Sequence, residues 1–175
     1  MNFKEELESI RQLIGLAIAP NLKQPFLRMT YISAISCMET YLSDALASKI
    51  FDKTNPKVRL FVENHGAFSD IKIPVSAIYG YYAKMDQHVK RELTDLIYHN
   101  LDKIGKIYNK CLGVSFKEHG AICEAVRKRH DLVHHNGKTK DGRIISLEVE
   151  EVSQLLGEID SFVDDLDLKI NPVPF

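Results

Sequence analysis

The stretch AVRKRHDLVHHNGKTKDGR (residues 125–143) shows a helix that ends in a cluster of charge and then enters a glycine turn. Apolar residues recur at helical spacing up to this point, which predicts a helix from about residue 116 to residue 135. Its expected core contacts are Ile122, Ala125, Val126, Leu132 and Val133. Asn136-Gly137 is a strong turn signal, so the helix should stop there. The nineteen positions hold three histidines and six lysines or arginines, which places titratable groups beside fixed positive charge.

Helical spacing continues on both sides of this stretch. The other segments with such a pattern are residues 3–17, ended by Pro20, residues 26–50, after Pro25, residues 56–66, residues 88–112 and about residues 146–166. Residues 67–87 mix β-branched and aromatic residues with Pro74 and Gly80, which indicates a loop with a short helix. The segment 143–146 is predicted to be briefly extended. Together these patterns predict an all-α bundle of five or six helices in a single domain, residues 1–175.

The composition is that of an ordinary globular protein, with 45% hydrophobic and 27% charged residues. A net charge of −1 argues against general adhesion to nucleic acid or anionic membranes, so any such binding needs a local patch. Cys37, Cys111 and Cys123 are odd in number and lack CxxC spacing, which indicates reduced thiols. The N-terminus is acidic and amphipathic, unlike a signal peptide, and no apolar run reaches membrane length. We therefore expect a cytoplasmic protein without a membrane partner.

Local physics allows two simple interpretations of the charged helix end. Basic residues in the last turn interact favourably with the negative end of the helix dipole, by about 0.3–1 kcal/mol each. Alternatively, His130 and His134 are four residues apart and could face one metal ion. That second interpretation lacks a convincing third ligand, so no metal and no other cofactor is predicted.

A third interpretation is a ribonuclease centre. Cleaving RNA through its own 2′-hydroxyl needs a proton acceptor, a proton donor for the leaving 5′-oxygen, and positive charge near the phosphate. Histidine suits the proton transfers and arginine suits the phosphate. Arg129 and His134 supply these two types, but five helical residues correspond to about 140° of rotation, so the pair does not share a face. They can converge only if the helix frays, if the arginine reaches around, or if a second molecule contributes.

The segment RHDLVH (residues 129–134) resembles the R-x4-H signature of the HEPN superfamily, with His130 in the polar position after the arginine. The continuation HNGKTKDGRIISLEVEEV (residues 135–152) is similar to the histidine, short glycine loop and closing helix of that family. YISAISCMETYLSDALASKI (residues 31–50) resembles its long second helix. The resemblance implies a compact HEPN-like helical domain that forms a two-fold homodimer.

The resemblance also implies a function. In HEPN ribonucleases the two R-x4-H motifs face each other across the dimer and form a composite, metal-independent endoribonuclease site, commonly in toxins or antiviral defence proteins. Carried over, Arg129 would stabilise phosphate charge, His134 would be the acid–base or positioning group, and His130 would support it. The implied partners are RNA, a second copy, and an antitoxin or other regulatory protein. The alternative is a non-catalytic HEPN module that binds a protein or a nucleotide through the same face.

Several other residues are candidates for supporting roles. Glu39 could accept hydrogen bonds from Arg129 or could simply be a boundary carboxylate, and Asp131 could orient His134 or His135 or lie at the surface. Tyr79, Tyr81 and Tyr82 could stack on bases, although core or dimer packing is the preferred interpretation. The candidates for phosphate binding, which could also be an ordinary solvated turn and helix end, are Arg127, Lys128, Lys138, Lys140 and Arg143.

Overall fold

A computed structural model of the chain describes residues 2–172 and is all-helical over that range. The described residues form eight α-helices: α1 (Phe3–Ile14), α2 (Pro20–Ile50), α3 (Val58–Asn64), α4 (Ile78–Ala83), α5 (Met85–Thr94), α6 (Leu101–Leu112), α7 (Gly120–His134) and α8 (Val149–Ile170). Two 3₁₀ turns, Gly66–Phe68 and Val75–Ala77, precede α4. The predicted all-α class is confirmed, and the predicted count of five or six helices is wrong. The ends of the predicted single domain, Met1 and residues 173–175, lie outside the described residues.

The structure has more helices than predicted, partly because residues 88–112, predicted as one helix, belong to two. α5 ends at Thr94, and α6 begins only after Asn100, whose side chain accepts a hydrogen bond from the backbone N–H of Lys103. That cap satisfies one of the donors that a helix start leaves unpaired, so it favours a new helix at this point. Between the two helices, the Tyr98 hydroxyl donates to the carbonyl of Leu93 at 2.9 Å. Apolar spacing alone did not reveal the interruption.

The long helix α2 begins at Pro20, earlier than the predicted start after Pro25. Proline suits a first helical position because the N–H that it lacks would have no partner there. Pro25 lies inside the helix and is exposed at the surface. The predicted apolar stripe is correct in its main members, since Tyr31, Ile35 and Met38 are buried.

Other helix boundaries shift by a few residues. α7 begins at Gly120 rather than near residue 116, α3 begins at Val58 rather than Pro56, and α8 begins at Val149 rather than near residue 146. Val133 was predicted to contact the core, but 43% of it is exposed. The stripe of α8 is confirmed, with these residues buried: Val152, Leu155, Leu156, Ile159, Phe162, Val163 and Leu166.

The chain divides into two compact units. The first comprises the described parts of Met1–Tyr41 and Lys117–Phe175, and the second comprises Leu42–Phe116. In the first unit α8 packs against α1 and α7. Arg11 of α1 reinforces this contact by donating from Nη2 to Asp160 of α8 at 2.6 Å. Every residue of the predicted site except the tyrosines belongs to this first unit.

In the second unit α3 packs against α5 and α6, and α4 packs against α5. Phe61 of α3 is fully buried, and the buried Tyr108 hydroxyl donates to the carbonyl of Leu42 at 2.7 Å. The single-domain organisation predicted from the sequence stays a prediction. Among the described helices, none is both long enough and apolar enough to span a lipid bilayer.

Candidate functional site

The helix end that carries the R-x4-H pattern is regular. α7 continues through His134, and the backbone N–H of His135 still bonds to the carbonyl of Asp131 at 3.0 Å. The helix therefore does not fray between Arg129 and His134, which removes one of the routes by which the two side chains could converge in a single chain. Arg129 is half-buried, whereas His134 is exposed. The two residues lie on different faces of α7, about 140° apart on a regular helix.

Arg129 carries an unsatisfied donor. Its Nε atom is buried and has no hydrogen-bond partner within residues 2–172. A buried donor without an acceptor costs about 1–3 kcal/mol, and more when the group is charged. The Nε donor of Arg129 is therefore removed from water and lacks a hydrogen bond that an anionic ligand could supply.

The three histidines cluster at the end of the helix. The rings of His130 and His134 have their centroids 4.5 Å apart, and the ring of His135 lies 6.1 Å from that of His130. Asp131 is 3.8 Å from Nε2 of His135, so the structure places this carboxylate beside His135 rather than His134. Within the described part of the chain, no group of three or more histidine, cysteine, aspartate or glutamate side chains could hold a metal ion. The cluster therefore presents two exposed imidazoles, of His130 and His134, whose rings are tilted by 42° and lie in contact.

The turn after the helix is tightly folded. Asn136 and Gly137 both have positive φ, at 52° and 76°, and Lys138 forms an isolated antiparallel bridge with Ile144. The Ile145 N–H bonds to the Gly137 carbonyl at 2.9 Å, which closes the loop. The predicted extended segment is thus reduced to this bridge and the hydrogen bonds beside it, which include one from the Thr139 N–H to the Arg143 carbonyl at 2.8 Å.

Thr139 and Asp141 organise the tip of this loop. The Thr139 hydroxyl donates to Asp141 at 2.6 Å, and Nε of Arg143 donates to the other carboxylate oxygen at 2.7 Å. These two hydrogen bonds, that from Thr139 first, lower the pKa of Asp141. The tip therefore keeps a fixed shape and partly neutralises one of the predicted phosphate-binding residues, Arg143.

The predicted phosphate-binding residues differ in their availability. Lys128 forms an ion pair with Glu151 of α8, and Nε of Arg127 donates to the Cys123 carbonyl of its own helix at 3.3 Å. Lys138 and Lys140 are exposed, and no ion pair involves them within the described residues. The positive charge that remains open to a ligand is therefore concentrated in the loop.

The family is decided by the whole length of the chain rather than by the short motif. The model of the RiboL-PSP-HEPN family matches residues 2–172, which is nearly all of the sequence. The chain belongs to the RiboL-PSP-HEPN family. No curated protein and no solved structure matches it. The resemblance inferred from RHDLVH, the glycine loop and the long second helix is thereby confirmed at the level of the HEPN superfamily.

Sequence reasoning missed one residue that lies beside this candidate site. Arg28 of α2 lies against the turn, with Nη1 donating to the Asn136 carbonyl at 3.4 Å. A Cβ atom built on Gly137 would come within 2.2 Å of the Arg28 Cζ atom, so a side chain there would displace the guanidinium. Like Arg129, Arg28 has a buried Nε atom without a partner in the described residues. No local pattern could have signalled this contact, since Arg28 and Asn136 are 108 positions apart.

α2 also holds the other end of the loop. The side-chain amide of Gln24 donates to the Leu147 carbonyl at 2.8 Å and accepts from the Leu147 N–H at 3.0 Å. Lys23 forms an ion pair with Glu148 at 3.2 Å. Two turns of one helix therefore fix both ends of the segment that follows the HEPN motif.

Glu39 lies on the same helix as Arg28. It is half-buried, eleven residues beyond Arg28, which is about 16 Å along a helix axis. The Nε atom of Arg129 has no hydrogen-bond partner within residues 2–172, and the supporting role of Glu39 stays a prediction.

The three tyrosines belong to the second unit of the HEPN chain. Tyr79 and Tyr82 are 86% and 75% exposed, so neither lies in the core. Tyr81 stacks on His88 with ring centroids 4.7 Å apart. The preferred interpretation of core packing is therefore wrong for Tyr79 and Tyr82, while packing against a second copy stays a prediction.

Proposed function

We propose that this HEPN protein is a metal-independent endoribonuclease that cleaves RNA through the 2′-hydroxyl, with a site formed by the R-x4-H motifs of two copies. The observation that carries the proposal is the half-buried Arg129, whose Nε has no acceptor within residues 2–172. The same helix exposes His130 and His134. A guanidinium with an unsatisfied donor favours the binding of an anion. RNA supplies a phosphate next to its 2′-hydroxyl, whose proton a histidine can remove.

The proposed chemistry needs no group beyond RNA and side chains. A histidine removes the proton from the 2′-hydroxyl, and the resulting oxygen attacks the adjacent phosphorus. The bond from phosphorus to the 5′-oxygen breaks, a protonated histidine returns a proton to that oxygen, and the products are a 2′,3′-cyclic phosphate and a 5′-hydroxyl. His134 is the proposed acid–base group, and Arg129 binds the non-bridging oxygens, on which negative charge develops. His130, in ring contact with His134, supports it.

A dimer can bring Arg129 and His134 together although they lie on different faces of α7. Since α7 is intact through His134, Arg129 and His134 of one copy face different directions, and a two-fold axis can bring unlike faces of two copies together. Lys138 and Lys140 then extend the positive charge along the bound strand. Asp131 lies beside His135, and Glu39 keeps its proposed role as a supporting carboxylate. A nuclease of this kind would act as a toxin or defence enzyme in the cytoplasm, restrained by an antitoxin or regulatory protein.

The decisive experiment is cleavage of single-stranded RNA in excess chelator. We expect the parent to cleave, His134→Ala to lose about 10²–10⁴-fold in rate, and Arg129→Ala to lose about 10²–10³-fold. Arg59→Ala is the matched control, because this arginine is exposed and pairs with Glu63 on its own helix. RNA with a single 2′-deoxy nucleotide at the cleaved position should resist.

The outcomes separate the alternatives. Cleavage that disappears with chelator would revive the metal interpretation of His130 and His134. No cleavage above the Arg129→Ala background would leave a non-catalytic HEPN module that binds a partner or nucleotide. Activity per chain should fall on dilution through the range in which light scattering shows dimers dissociating, and a fully active monomer would contradict the composite site.

A further inference from the structure

Arg28 is a half-buried arginine that forms no ion pair within residues 2–172. Its hydrogen bond from Nη1 to the Asn136 carbonyl is long, at 3.4 Å, and Nε finds no acceptor in the same range. Arg11, by contrast, reaches Asp160 at 2.6 Å. Buried charges in proteins are normally paired, because an unpaired one loses hydration without compensation.

Arg129 has the same kind of unsatisfied donor as Arg28. Nε of Arg28 and Nε of Arg129 are the two buried side-chain nitrogen or oxygen atoms that lack a partner in the described chain. One belongs to the HEPN motif itself, and the other lies against the turn that directly follows the motif. Asn136 is two residues after His134, so their Cα atoms are at most about 7.6 Å apart. Arg28 therefore lies at the edge of the proposed site.

The turn is shaped to hold the guanidinium in this place. Gly137 is buried, its φ is +76°, and an added Cβ would meet Cζ, Nη1 and Nε of Arg28 at 2.2, 2.3 and 2.7 Å. One helical turn earlier, Gln24 fixes Leu147 with two hydrogen bonds, so the loop cannot move away from α2 without breaking them. A guanidinium presents five N–H donors, and protein contacts use one of them here. Within residues 2–172, no other hydrogen bond engages the donors on its terminal nitrogens, which can therefore bind a ligand.

We propose that Arg28 is a second phosphate-binding residue of the site, which takes a phosphate of the RNA strand next to the one that is cleaved. The inference rests on the proposed function for the identity of the strand. Fixed positive charge that is already desolvated binds an anion more strongly than an exposed lysine does, since less water must be displaced. Arg28 thus contributes to binding and register of RNA, while Arg129 serves the reacting phosphate.

The test is the salt dependence of binding to a single-stranded 2′-O-methyl RNA oligonucleotide, measured by fluorescence anisotropy over a series of KCl concentrations. The probe lacks a free 2′-hydroxyl, so it is not cleaved whether or not the protein is active. Each phosphate contact to a single strand contributes about 0.7 to the slope of log K against log salt. We expect Arg28→Gln to reduce the slope by about 0.7 and Arg28→Lys to retain it. Arg91→Ala, an exposed arginine of α5, should leave it unchanged.

Glutamine preserves a donor for the Asn136 carbonyl, so thermal melts of Arg28→Gln and Arg28→Lys should match and exclude a folding effect. If both variants keep the parental slope, Arg28 only clamps the turn and the inference is wrong. If the parent does not bind the probe, the inference is also overturned. If the parent binds with the expected slopes but does not cleave unmodified RNA, the proposed enzyme activity fails while Arg28 stands as a phosphate-binding residue.

Discussion

Two connecting segments of similar length behave differently in this molecule: residues 135–148, after α7, and residues 66–84, before α5. The first is held at both ends by side chains of α2, through Arg28 and Gln24. The second contains two 3₁₀ turns and the six-residue α4, and its backbone bonds outside α4 span three or four residues. Its exposed side chains include Val75 and Tyr79, at 85% and 86%.

The comparison shows two ways in which a connecting segment can be held in place. A segment that is fixed by distant side chains can hold charges at defined positions, which is what binding of a phosphate backbone requires. In the second segment the backbone bonds outside α4 are local, and Tyr81 stacks on His88 seven residues further on, so its support comes from residues nearby in the sequence. The HEPN motif lies next to the first kind.

The largest test of this contrast is Gly137→Ala. An alanine must adopt a positive φ and displaces the Arg28 guanidinium, so we expect a loss of about 2–4 kcal/mol in the free energy of unfolding. Gly142→Ala is the matched control, because φ is +83° there but an added Cβ meets nothing within 4 Å. It should cost only the backbone strain, about 1–2 kcal/mol. Chemical denaturation measures both.

Repeating Gly137→Ala in an Arg28→Ala background isolates the contact. With the guanidinium removed, the two glycine substitutions should cost the same, and the double-mutant cycle reports the coupling. Equal costs already in the parental background would mean that Arg28 does not lie on Gly137 in solution.

The second prediction concerns the exposed tyrosines. Tyr79→Ser and Tyr82→Ser should each change the free energy of unfolding by no more than about 0.5 kcal/mol, because these side chains bury little surface. Tyr81→Ser should cost more, by about 0.5–1.5 kcal/mol for the stacking on His88 in addition to buried area. If Tyr79 or Tyr82 proves as costly as Tyr81 in a protein shown to be dimeric, that side chain packs against the second copy, and the segment has external support after all.

The smallest expected effect is electrostatic and lies at the tip of the fixed loop. The pKa of Asp141 is below its ordinary value of 3.8 because Thr139 and then Arg143 donate hydrogen bonds to it. The ionised carboxylate thus stabilises the fold at neutral pH, and this contribution is lost as the pH falls through the lowered pKa. Asp141→Asn should therefore differ from the parent at neutral pH and converge with it in acid. Titration by NMR should show Thr139→Ala raising the pKa of Asp141, and an unchanged value would contradict the role of the hydroxyl.

Much of the fold follows from spacing in the sequence. The apolar stripes of α2 and α8 are buried where periodicity places them, and the Asn-Gly pair ends α7 at the predicted turn. Boundaries were less well predicted, since the break between α5 and α6 depends on the Asn100 cap and the Tyr98 hydrogen bond, which leave the apolar period undisturbed. Val133 also fits the helical period, but 43% of it is exposed.

For the site, the sequence by itself determined the helical class, the HEPN resemblance and the residue types at the end of α7. These depend on neighbours a few positions apart, which helical geometry relates directly. Only the tertiary structure decided that α7 stays intact between Arg129 and His134, that Asp131 lies beside His135, and that Arg28 closes on Gly137 from 108 residues before Asn136. Whether a charged side chain has a partner depends on which distant surfaces meet it, so the two unpaired arginines became visible only in the folded chain.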